Sequence, residues 1–121
     1  MNAGQCYPLR LDPAGEITTW ELPNFPLGLR ARWAGAVQRR SLQGTTLLLY
    51  SDCLVEAKDA TGEPVGYERF EALLAQADLP RAAEPLEALF AAGRRATGPT
   101  AWDDDATAVV VRRVPRADRV G

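Results

Sequence analysis

The stretch Leu47-Leu48-Leu49-Tyr50-Ser51-Asp52-Cys53-Leu54-Val55-Glu56-Ala57 decides how the rest of the 121-residue chain is read. Thr45–Tyr50 is a short, continuous apolar run rich in strand formers. Such a run predicts a strand buried on both faces. It stops abruptly at Ser51-Asp52, which sets a carboxylate at the end of the most hydrophobic strand of the chain. Working back from it, Gln43-Gly44 predicts a turn and Ala36–Leu42 a further strand. Pro23–Leu29, with two prolines and a glycine, reads as irregular. Tyr7–Leu11 and Glu16–Leu22 alternate apolar and polar residues. Asp12-Pro13-Ala14-Gly15 lies between them as a turn, which predicts a hairpin.

Working forward, residues 57–66 form a polar loop, and then the period changes. Phe70, Leu73, Leu74 and Ala77 recur at i, i+3, i+4 and i+7, one helical stripe. Leu86, Leu89, Phe90 and Gly93 repeat the pattern in a second helix, with Pro85 in its first turn and Gly93 or Gly98 at its end. Ala106–Arg112 predicts a closing strand, and Val114–Gly121 a frayed tail. The order is strands, two helices, one strand. It predicts an α+β fold with antiparallel β-sheets and two helices packed on one face.

Composition narrows the chemistry. At 46% hydrophobic and 25% charged, the chain has enough apolar residues for a core, which argues against wholesale disorder. Fourteen basic against sixteen acidic residues give a net charge of −2, which argues against broad nucleic-acid binding. No apolar stretch approaches the roughly 20 residues of a membrane span, and Met1–Gln5 lacks the features of a secretory leader. A cytoplasmic location is the expectation. The chain has no histidine, which removes Ser-His-Asp and Cys-His catalysis and histidine-bearing zinc sites. Its two cysteines, Cys6 and Cys53, are too few for a disulfide scaffold or a four-thiolate metal site. Asp52 and Glu56 flank Cys53 and raise a thiol pKa rather than lower it, so a cysteine nucleophile is not expected.

Acidic residues remain. Asp52 ends one hydrophobic strand, and Asp103-Asp104-Asp105 immediately precedes another. Carboxylates held at strand ends can converge on a hard cation. Oxygen ligands without imidazole or thiolate favour Mg²⁺ or Mn²⁺ over zinc. The same residues also read as ordinary solvated turn positions.

Five stretches in order resemble one family, the SpoIIE-like branch of the PPM-type (type 2C) bacterial serine/threonine protein phosphatases. Leu47–Ala57 resembles "LLLYTDGLVEA", and Asn2-Ala3-Gly4 with Pro8-Leu9 resembles "NAGHPPPLL". Pro26-Leu27-Gly28-Leu29 matches "PLGL", Thr61–Phe70 resembles "GExFGxERL", and Asp104–Val110 matches "DDxTLVV". The resemblance implies part of a PPM-phosphatase-like α/β sandwich over residues 1–114, followed by a flexible tail over 115–121. It implies metal-dependent phosphoserine hydrolysis on a regulatory protein such as an anti-anti-sigma factor, with two metal ions activating the attacking water. Residue by residue, it implies that Asp52 and Asp104 bind Mg²⁺ or Mn²⁺, with Asp105 and Thr107 in supporting places. Asp103 has no motif counterpart.

Three departures accompany the resemblance. Cys53 replaces the glycine after the metal-binding aspartate, Gln5 replaces a histidine, and Gly44-Thr45 replaces Gly-Asp. A glycine there allows positive φ, which a cysteine adopts only at about 1–2 kcal/mol, so negative φ at Cys53 is the expectation. The resemblance covers the C-terminal half of the family's domain. The "DxxGHG" motif, whose aspartate bridges the two metals, has no counterpart here. The expectation is a truncated domain, with a non-catalytic interaction module or a pseudophosphatase remnant as the alternative and a homodimer as one way to cover its open face.

Overall fold

A computed structural model of the protein describes residues 2–98, 102 and 104–113. Among these, β1 (Leu9–Leu11), β2 (Ile17–Thr19), β3 (Thr46–Tyr50) and β4 (Ala108–Arg112) form a single antiparallel sheet of order β2-β1-β3-β4. Three helices follow β3: α1 (Cys53–Glu56), α2 (Gly66–Ala77) and α3 (Pro85–Thr97). The α+β class and antiparallel pairing are as expected. The one-turn helix α1 is an addition.

The strands are shorter than their sequence patterns. Pro8 has no N–H to give the ladder, so β1 starts at Leu9; its carbonyl still accepts from Trp20 N at 2.9 Å. The strand expected over Ala36–Leu42 does not form. Val37 is its one β-branched residue, and 37–40 lie exposed, so nothing draws the segment into the sheet.

The core lies between one face of the sheet and α2 and α3. Leu9, Leu11, Leu48 and Tyr50 point into it, each less than 10% exposed. They meet Phe70, Leu74 and Ala77 of α2 and Leu89 and Ala92 of α3. Tyr50 packs on Phe70 with ring centroids 4.9 Å apart. In α3, Leu86 turns outward at 40% exposure and Ala92 takes its place in the buried stripe. The helix runs through Gly93, where an added Cβ would sit 3.1 Å from the Trp102 ring. It ends at Gly98, whose φ of 71° a side chain would disfavour.

The other face of the sheet is not buried as the apolar run predicted. Leu49, Val109 and Val111 are 40%, 51% and 37% exposed. The register sets Leu49 opposite Val109 and Leu47 opposite Val111, so these residues share one face. All three helices lie after β3 and cover the opposite face, which is why a run apolar on both sides is sheltered on one.

Candidate metal-binding edge of the sheet

Asp52 stands where β3 gives way to α1. Its own backbone is already helical (φ −59°, ψ −26°), and its carbonyl accepts from Val55 N and Glu56 N, both at 2.9 Å. The chain turns here because Cys53, Leu54 and Val55 all bury their side chains, which draws the segment off the sheet into one helical turn. Cys53 lies in that turn with negative φ, since Asp78 has the one positive φ among described non-glycine residues. The expected relaxation of a glycine-type turn is therefore what the backbone shows.

The segment before β4 is pinned beside this turn by its neighbours. Ser51 N donates to Thr107 O at 2.9 Å, and Thr107 N donates back to Ser51 Oγ at 3.0 Å. Ser51 Oγ donates to Asp105 O at 3.4 Å, and Cys53 Sγ to Asp104 O at 3.2 Å. Asp104 Oδ1 accepts from Asp105 N at 2.7 Å, which orients its carboxylate. Asp52 and Asp104 thus sit at the same end of adjacent strands, both exposed. Asp105 and Thr107 meet Ser51 through their backbones. Asp103 lies outside the described residues, as does the tail over 114–121.

Ser51 and Cys53 are the residues that sequence reasoning did not assign to this edge. The signal was available for Ser51: a hydroxyl just past a strand end can complete a neighbouring strand's hydrogen bonds. Nothing in the sequence announced the contact of Cys53 with Asp104, because the residues are 51 positions apart.

Thiol chemistry is suppressed throughout this region. Burial pushes the Cys53 thiol up, and the carboxylates of Asp104, Asp52 and Asp105 add to the rise. Burial also raises Cys6, followed by Asp52 and Glu56. Burial likewise raises Tyr67, which contacts Cys6, and Tyr50 beside it. Both cysteines are free. Protonated thiols neither attack nor ligate, so the chemistry left at this edge is that of exposed carboxylate oxygens.

A cleft of about 470 Å³ runs alongside, lined by Asn2, Gln5, Cys6 and Pro8 on one side and by Leu49, Ser51 and Val109 on the other. Carboxylates suit Mg²⁺ or Mn²⁺ in type, but these cations take about six oxygen ligands. Among the described residues no group of three or more ligand-type side chains comes together. The edge therefore fits a hard cation as part of a coordination sphere rather than as the whole of one.

The sequence model of the family described as stage II sporulation protein E (SpoIIE) matches residues 1–114. The chain belongs to the SpoIIE family. The fold agrees: the SiaA-PP2C domain of Pseudomonas aeruginosa superposes with a TM-score of 0.66 at 22% identity. The match covers 89% of this chain and 43% of that one, so more than half of that structure has no counterpart in these residues. No curated protein matches the chain in sequence. The chain has no helix among its described residues that is long and apolar enough to cross a membrane.

Proposed function

We propose that the chain is the C-terminal portion of a metal-dependent protein serine/threonine phosphatase domain, and that Asp52 and Asp104 are its contribution to a Mg²⁺ or Mn²⁺ centre. The observation that supports this reading is the pinning of the Asp104 segment to the Ser51–Cys53 turn, which brings the stretches that carry the two aspartates to the same end of β3 and β4. When bound, such cations supply an acidified water and neutralise phosphoryl charge. The chain's own part is positional. Ser51 fixes the β4 approach, Asp105 N orients the Asp104 carboxylate, and Cys53 stays protonated and inert.

The substrate under this reading is a phosphoserine on a small regulatory protein, of the anti-anti-sigma type, in the cytoplasm. A second reading, a non-catalytic interaction module or pseudophosphatase remnant, is supported by the absence of a three-ligand cluster among the described residues.

Hydrolysis of p-nitrophenyl phosphate with Mn²⁺ tests the reading. The 121 residues by themselves are expected to turn over no faster than the Asp52→Asn variant, because two carboxylates cannot fix two cations in line. A robust Mn²⁺-dependent rate that Asp52→Asn abolishes would show a complete site formed from these residues, and would overturn the partial-site reading.

A further inference from the structure

The long connection between β2 and β3 has a use that the acidic edge does not explain. Residues 20–45 contain Arg30, Arg32, Arg39 and Arg40 against the single carboxylate of Glu21, a local charge of +3 in a chain whose total is −2. The same connection exposes Phe25, Leu27, Leu29 and Val37 at 55–68% and Trp33 at 38%. Phe25 and Trp33 line one cleft, and apolar surface that a monomeric protein exposes contiguously usually has a use.

The connection is irregular yet held in shape. Asn24 Oδ1 accepts from Ala36 N at 2.9 Å, and Asn24 Nδ2 donates to Asn2 O at 2.8 Å. Leu29 N donates to Pro26 O at 3.4 Å across a turn that needs the φ of 91° at Gly28. Arg30 lies 3.8 Å above the Phe25 ring, which fixes a cation over an exposed aromatic face. Between Phe25, Arg30, Arg32 and Trp33 lies a cleft of about 210 Å³, room for one side chain.

We propose that this connection is a docking surface for an acidic protein segment that carries apolar side chains between its carboxylates. Charge complementarity selects the partner's sign. Trp and Arg are among the residues that dominate protein–protein hot spots, and Phe is enriched in interfaces generally. The aliphatic residues among the arginines favour a polypeptide over nucleic acid, whose backbone offers them nothing. This surface does not depend on the metal edge being catalytic. It is nevertheless continuous with that edge: Pro26 packs on Gly4, and Asn2–Cys6 leads from there to the cleft beside Asp52.

Fluorescence anisotropy with the full chain and a labelled random copolymer of glutamate and tyrosine tests the proposal. The copolymer is expected to bind. Arg30→Gln/Arg32→Gln is expected to weaken it about tenfold, as for loss of charge-assisted contacts. A copolymer of lysine and tyrosine is expected not to bind, and polyglutamate to bind more weakly than the mixed copolymer. Unchanged thermal melts of the double variant establish that its fold is intact, and Arg39→Gln/Arg40→Gln serves as an independent second variant. No binding of the acidic copolymer, equal binding of the basic one, or indifference to both arginine pairs would overturn the proposal. Capture by phosphatidylserine vesicles without copolymer binding would overturn it in favour of a membrane surface.

Discussion

Replacing Cys53 with glycine restores the family's signature residue, and the structure predicts that this restoration weakens the protein. Cys53 is 4% exposed, lies in α1 at negative φ, and donates from Sγ to Asp104 O at 3.2 Å. Glycine removes a buried Cβ and Sγ, about two methylene equivalents, or about 1.5 kcal/mol at about 0.8 kcal/mol each. It adds about 0.5–1 kcal/mol of backbone entropy in a helical position. The freed Asp104 carbonyl lies at an exposed edge and is resolvated, so the weak S–H bond adds little. The expected loss is about 2–2.5 kcal/mol, or about 8–10 °C in Tm at this chain length. Cys53→Ala, which keeps Cβ and favours the helix, should lose about a third as much. Urea and thermal unfolding of the three proteins check this. A neutral or stabilising Cys53→Gly would mean instead that position 53 is strained rather than packed.

Three further expectations follow from the packing and the polar contacts. Leu74→Ala empties a fully buried site between α2 and the sheet and should cost about 3–5 kcal/mol in urea unfolding, enough to leave much of the chain unfolded. Hydrogen bonds from Thr61, then Arg69, hold the Asp59 carboxyl well below its ordinary 3.8. Its folded pKa is depressed, so its contribution is full above about pH 5 and falls away below about pH 4, a loss that Asp59→Asn should remove from the pH–Tm curve. Gly4→Ala drives a Cβ into the Pro26 ring at a φ of 91°, and should free the 24–36 connection for faster tryptic cleavage at Arg30 and Arg32.

Features that depend on local pattern were legible in the sequence. The stripe of Phe70, Leu74 and Ala77 is the buried face of α2, and Pro85 opens α3 where its missing N–H costs nothing. The apolar run of β3 is a strand. Its sequence could not reveal that Leu49 faces outward, because burial on both sides depends on what covers the sheet, not on the strand itself. Ala36–Leu42 failed as a strand for a related reason: alternation around a single Val37 gives no face worth burying. At the acidic edge, Asp52 and Asp104 were singled out by their strand-end positions and by motif. Their positioning by Ser51 and Cys53 was not, since it rests on contacts across more than fifty residues.

Under the proposed function, Asp52 and Asp104 together hold a hard cation at the end of β3 and β4. Electron paramagnetic resonance of free Mn²⁺, titrated against the 121-residue chain, measures this without any need for turnover. Weak binding is expected, with a Kd on the order of a millimolar for so few carboxylates. Asp52→Asn and Asp104→Asn should each weaken it several-fold, while Asp78→Asn, on the α2–α3 connection, should leave it unchanged. Mn²⁺ binding that is indifferent to both Asp52 and Asp104 would contradict the account.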